Sequence, residues 1–332
     1  MKLALVVLLA RGAAAEPTPL RVGLEWFLNP DHLPLVVAQR AGLFADAGLD
    51  VELVEPADHW EAEEEIIAGR LDVAVTETLH LAQDAAKGKP VVGFARFLHT
   101  DGGVMFLKGR NITRPRDMCG ATISYPGFPG PGGPAIVNTM VEADGGHCAE
   151  PFGKHDGGFY HTDALLNGAD VATLIFYNFE VIEAKSRGLD AGFFSLKDYG
   201  VPDFCQLVLF TTPEKLAAST PALRRLVLAV RKATGIIKTD PARARKMWLE
   251  HTRTPRPLAA RLNPLTLRDR NREIRTAAAT FDATLPAFVN DNSLAREYFE
   301  ALMGWLVKTS QVDAAAAAAT DVSKYWTNSI AL

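Results

Sequence analysis

Glu25, Trp26, Asn29 and His32 fall within eight residues, from the end of the apolar stretch "LRVGLEWF" to the start of "LPLVVAQRAGLF". A turn at this point needs only Asn29 and Pro30. The added carboxylate, indole and imidazole suit the wall of a pocket. An indole stacks on a flat ring, and a carboxylate accepts hydrogen bonds from an amino-substituted or cationic one. His32 can equally cap the helix that follows. A second group, Thr76, Glu77 and His80, closes the strand-like "DVAVTE" and opens the helical "TLHLAQDAAKG". A third lies in "YPGFPGPGGP". Gly127 and Gly130 let backbone N–H groups approach an anion at a helix start, but Pro129, Pro131 and Pro134 remove donors. The competing reading is a rigid cleft-lining loop, with Tyr125 and Phe128 as aromatic walls. The fourth group is Tyr177, Asn178 and Glu180 in "FYNFE". Glu180 can pair with adjacent N–H donors of a nitrogen heterocycle, or lie at a helix N-terminus stabilised by the dipole.

Each group sits where one element hands over to the next. "DVELVEP", "DVAVTE", "PVVGFARFL" and "ATISYPG" read as strands, separated by helical patterns such as "HWEAEEEIIAGRL" and "AIVNTMVEADGG". This alternation predicts an α/β protein with parallel sheets. "CQLVLF" is a further strand, followed by a long helix that Thr220 caps and Pro221 opens. The remainder is mostly helical, and "AAAAAA" (Ala314 to Ala319) carries no special chemistry.

Bulk properties narrow the function. With 332 residues, 48% hydrophobic and 22% charged, the chain can bury a large core. A net charge of -4 and the lack of a Lys/Arg block exclude an electrostatic case for nucleic acid. No stretch is long enough for a membrane span. Lys2, "LALVVLLA" and the small residues up to Ala15 read as a secretion signal, so residues 1–18 are a probable signal peptide and leader and the mature chain is periplasmic or secreted. Cys119, Cys148 and Cys205 leave one thiol over, and a Cys119–Cys148 bridge is compatible with export. No Cys/His metal spacing and no nucleophile triad, glycosidase pair or nucleotide loop is evident.

Several segments, in order, resemble one family: "NPDHLPLVVAQRAGLFADAGLDVELVEP", "AGRLDVAVTETLH", "GKPVVGFARFL", "LKGRNITRPRDMCGATISY", "NGADVATLIFYNFEVIEAK" and "YWTNSIAL". Together they resemble the thiamine-pyrimidine family of periplasmic-binding-protein folds. It contains fungal synthases of the thiamine pyrimidine and bacterial proteins that capture pyrimidine precursors for an importer. The resemblance implies a two-lobed type II periplasmic-binding-protein fold, with two mixed, mostly parallel sheets joined by a two-strand hinge. Lobe one would hold 19–108 plus 206–332, and lobe two 109–205. It also implies a planar heterocyclic guest between the lobes and an ABC transporter permease as partner. The family often has Asn where this chain has Glu25. In the synthases, the position of Thr76 is a Lys carrying pyridoxal phosphate, and that of His80 is a consumed His; a cysteine cluster is reduced here to Cys205. Thr cannot form a Schiff base. The expectation is therefore non-catalytic binding without a cofactor. The alternatives are a divergent pyrimidine synthase, or a binding protein for a sulfonate or flavin. Tyr325, Trp326 and Asn328 match a family signature expected to pack on lobe one.

Overall fold

The computed structural model describes residues 16–56, 62–125, 131–253 and 267–330. Along the chain lie the strands β1 (Thr18–Gly23), β2 (Leu49–Val54), β3 (Val73–Glu77), β4 (Val92–His99), β5 (Gly102–Leu107), β6 (Thr122–Tyr125), β7 (Gly153–Asp156), β8 (Val171–Phe176), β9 (Ala191–Ser195) and β10 (Gln206–Thr211). They form two five-stranded sheets, ordered β2-β1-β3-β10-β4 and β7-β6-β8-β5-β9. In each, the first three strands run parallel and the fourth is antiparallel to both neighbours.

That fourth strand arrives from the other half of the chain. β5 follows β4 out of the first sheet, and β10 follows β9 out of the second. The two crossings lie side by side. The Thr100 N–H donates to the Cys205 carbonyl (3.1 Å), and a side chain at Gly102 would run into the Cys205 sulfur. Glycine is needed here because the two crossing chains touch. The expected lobe boundary after residue 108 comes one strand late, because residues 102–107 hydrogen-bond to β8 and β9. No composition break marks this point: "GGVMFL" is as apolar as the strand before it.

Local chemistry explains the parallel units. The helix Leu33–Arg40 buries Leu35, Val36, Val37 and Ala38, and covers the sheet that holds Val22 and Val51. The long helix runs Pro213–Thr239, starting eight residues before the expected Pro221. Thr212 caps it by accepting from the Lys215 N–H (3.3 Å), with Pro213 at the first position. Thr220 instead donates to the Leu216 carbonyl within the helix (2.7 Å). Two Thr-Pro sites carry the same capping signature, and the earlier one follows β10 directly.

Trp326 packs on the first sheet as expected, bridging to Gly93, with its indole N–H donating to Asn328 (2.8 Å). Cys119 and Cys148 form a disulfide, and Cys205 is free and buried. Among the described residues no helix is long and apolar enough to cross a membrane, and no cluster of His, Cys, Asp and Glu could hold a metal ion. Of the expected signal peptide and leader, residues 1–18, the first 15 residues lie outside the described residues.

Candidate functional site: a carboxyl-rich cavity between the sheets

A cavity of about 250 Å³ opens where the parallel strands end. β1 delivers Glu25 and Trp26, β3 delivers Thr76 and Glu77, β6 delivers Tyr125, and β8 delivers Leu174 and Phe176 with Glu180 just beyond. Carboxyl ends of parallel strands are where open α/β sheets hold ligands, because the following helices splay apart there. Asn29, Asp31 and His80 complete the inner wall, with Glu63, Gln83, Asp84 and Lys87 among the other lining residues.

The aromatic part spans both halves. The Trp26 indole lies nearly parallel to the His161 ring (5.9 Å, 14°) and edge-on to Phe159 (4.5 Å). Phe27 meets Phe159, Tyr160 and Phe179. Trp26 and Phe27 follow β1, while the other rings belong to the second sheet's half, so this cluster joins the two. The Trp26 Nε1–H is buried without a hydrogen-bond partner among the described residues, as is His161 Nε2. Burial holds the His161 imidazole down at about 4, so it is neutral at physiological pH.

The polar part is dominated by carboxyls. Glu25 receives the Nε2 of His32 on both oxygens (3.0 Å each), while the Asn29 N–H donates to His32 Nδ1 (3.3 Å). In its neutral form His32 therefore carries its proton on Nε2. Burial alone would lower its pKa; the carboxylates of Glu25, Asp31 and Glu55 reverse that and raise it. Asp31 is pushed up to about 7, first by burial, with Glu25 adding and the Asn178 hydrogen bond and His32 opposing. Glu180 is raised well above the carboxyl range by burial and then by Asp31, although the Phe176 N–H donates to it (2.9 Å). Glu77 pairs with His80 Nδ1 at 2.8 Å.

The structure thus brings Glu25, Trp26, Asn29, Thr76, Glu77, His80, Tyr125 and Glu180 to one cavity. Three expected contacts stand apart from its lining. His32 is fully buried behind Glu25, where it orients the carboxylate. The Tyr177 ring packs edge-on to Phe193 and under Lys185. Asn178 points its amide at Asp31 and Thr284, tying the β8 turn to the opposite half. A π-helical turn, Tyr177–Val181, rotates these neighbours away from the directions a plain helix start would give. Gly127, Phe128 and Gly130 lie outside the described residues. Sequence reasoning missed Asp31, which sits between two residues it had singled out. Leu174 was also missed: its positive φ of 58° inside a strand has no signature in the residue type.

Comparison with known proteins agrees with this geometry. The NMT1/THI5 like family model matches residues 29–244. The chain belongs to this family. It is 31% identical over 230 residues to the formylaminopyrimidine-binding protein of Halalkalibacterium halodurans, covering 69% of each chain. It is 26% identical over 238 residues to a 4-amino-5-hydroxymethyl-2-methylpyrimidine phosphate synthase, THI11, of Saccharomyces cerevisiae, covering 68% of this chain and 69% of that one. Among solved structures, the alkanesulfonate-binding protein SsuA of Xanthomonas axonopodis superposes with a TM-score of 0.64 at 15% identity, over 92% of this chain and 99% of that one. The fold is the two-lobed type II periplasmic-binding-protein fold, its two mixed sheets joined by the paired crossings.

Proposed function

We propose that this protein captures a small planar nitrogen heterocycle, a thiamine-pyrimidine precursor, between its lobes and releases it unchanged. The observation that carries this reading is the composition of the cavity wall. Six lining residues are acidic (Glu25, Asp31, Glu63, Glu77, Asp84 and Glu180) against one lysine, Lys87, among the described residues. Lys87 itself lies 3.6 Å from Asp84. Such a wall offers oxygen acceptors to the N–H donors of an aminopyrimidine, whose flat face Trp26 and Tyr125 can cover, and its one lysine is already held by a carboxylate. The volume suits a guest of one ring with short substituents.

The two bodies that close on the guest are the sheet of β1–β4 and β10 with its helices, and the sheet of β5–β9 with its own. Hinge closure about the paired crossings is the motion this fold supports. The similarity to a formylaminopyrimidine-binding protein favours the ligand class. The Cys119–Cys148 disulfide favours an oxidising compartment, hence a periplasmic or secreted protein serving an ABC transporter permease.

One observation favours a second reading, a pyrimidine synthase: His80 lies on the cavity wall beside Glu77. Thr76, however, stands where the resemblance places the pyridoxal phosphate lysine. Thermal-shift measurement separates the readings, since a guest that binds only the folded state raises its melting temperature. Aminopyrimidines are expected to raise it, with alkanesulfonates and flavins silent and the Trp26→Ala variant unresponsive. A shift with sulfonate alone would overturn the reading, and absorbance of a bound pyridoxal phosphate would support the synthase.

A further inference from the structure

Three cavity carboxyls come from both lobes: Glu25 and Asp31 from the first, Glu180 from the second. Asp31 and Glu180 are only 4% and 8% exposed. Asp31 disfavours the charge of Glu180, and Glu25 acts on Asp31 in the same sense. Of the basic groups nearby, His32 offsets the burial of Asp31 only in part, because its Nε2 is held by both Glu25 oxygens. Glu183 adds a further carboxylate near Glu180, and Arg187 is spent on Asp163 and Glu183.

The neutral amide of Asn178 brings no charge to this group: it is 2% exposed, stands outside the cavity lining, and its Nδ2 donates to both Asp31 and Thr284. A buried carboxylate without a full compensating charge is disfavoured, so in the unliganded protein burial favours the protonated forms of Asp31 and Glu180.

We propose that the cavity selects the positively charged form of its heterocycle, which the carboxyls of Glu25, Asp31 and Glu180 surround, and that binding is coupled to proton movement. This rests on the reading above that the guest is a nitrogen heterocycle, and adds its charge state. The proton balance is simple. A ring that arrives protonated displaces one proton from the Asp31–Glu180 pair to solvent. A ring that arrives neutral takes that proton onto its own nitrogen, and none leaves. In both cases the complex holds a cationic ring against one new carboxylate, and only N–H and O–H bonds change.

Isothermal titration with 4-amino-2-methylpyrimidine and its 5-fluoro analogue tests this, because the two have nearly one shape but the second is a much weaker base. The parent is expected to bind at least about tenfold tighter, the equivalent of one pKa unit of charge preference. Below the ring's own pKa, titration in buffers of different ionisation heat should show release of about one proton. In Asp31→Asn the parent's advantage over the fluoro analogue should shrink to within about threefold. A merely structural role for Asp31 would weaken both rings alike. Glu25→Gln provides the same discrimination if the first variant does not fold. Equal affinity of the two rings for the natural protein, or no proton release, overturns the inference and leaves the proposed function standing. Binding of neither ring by the natural protein overturns both.

Discussion

Two strand-to-helix junctions face the cleft, one from each sheet, and they solve the same problem differently. β3 ends at Glu77, which has ordinary extended backbone and leads straight into the helix Thr78–Ala86. β8 instead carries an extra residue against β5: Gly103 and Met105 pair with Ile175 and Ala172, so two steps on one strand span three on the other. Leu174 takes up the bulge at φ 58°, and a π-helical turn precedes the helix Ile182–Ser186. Both junctions end on a glutamate. The regular one leaves Glu77 partly exposed and paired with His80. The irregular one turns Glu180 back onto the Phe176 N–H and buries it. Here the irregular backbone buries a carboxyl while leaving it on the cavity wall, whereas the regular β3 junction leaves Glu77 partly exposed.

The largest effect that distinguishes the junctions should be on binding. Glu180→Ala is expected to weaken aminopyrimidine binding about a hundredfold, consistent with loss of a charge-assisted bond in a dry site. Glu77→Ala, at the more exposed junction, should cost less than about tenfold. Titration calorimetry checks both, and equal losses would erase the functional difference between the junctions.

Asn178 provides the next test, because only the irregular turn presents it to the opposite lobe. It touches Asp31 and Thr284 and does not line the cavity. Asn178→Ala should weaken binding about tenfold. The change should appear as faster dissociation, and small-angle scattering should show less compaction on adding ligand. If affinity falls while compaction is unchanged, the residue does not act through closure.

The buried carboxyls set a pH dependence with a definite sign. Asp31 has a folded-state pKa of about 7 against the usual 3.8. Between those values the folded protein binds more protons than the unfolded chain. This contribution is complete below about pH 4 and is lost as pH rises through about 7. Glu180 acts in the same direction. His161, held down at about 4 against 6.5, acts oppositely: its contribution is present above 6.5 and is lost as pH falls through 4. Without ligand, the melting temperature of the natural protein should therefore fall as pH rises through about 7, and Asp31→Asn should flatten that fall. A parallel decline in the variant would mean that other groups govern it.

The smallest effect concerns the bulge itself. At Leu174 the left-handed backbone favours glycine, so Leu174→Gly should be more stable than Leu174→Ala by about 0.5–1 kcal/mol. At Val75, on the regular β3, the order should reverse, with Val75→Ala above Val75→Gly by about the same amount. Urea denaturation of the four variants measures both differences. The same order at both sites would show that the bulge carries no strain.

Much of this molecule was legible because its signals are local. Apolar runs of strand length, glycine stops and capping residues lie close in the chain, so the alternation of β1, β2 and β3 with their helices could be read directly. The four groups were singled out because each follows a strand, and each brings at least one residue, among them Glu25, Glu77, Tyr125 and Glu180, to the cavity wall. The start of the long helix was misplaced where two Thr-Pro sites competed, since only contact with β10 and Asp72 selects Thr212: the Thr211 hydroxyl and the Lys215 ammonium both bind Asp72.

The sequence by itself determined the α/β class and the residues that strand ends offer to a ligand. Tertiary structure alone decided that β5 changes sheets, that Tyr177 and Asn178 turn aside, and that Asp31 and Glu180 line one cavity. The physical reason is that a side chain's charge and direction depend on what excludes water from it. Asp31 and Glu180 are 149 residues apart in the chain. They act on one another only because folding places them in the same poorly solvated space.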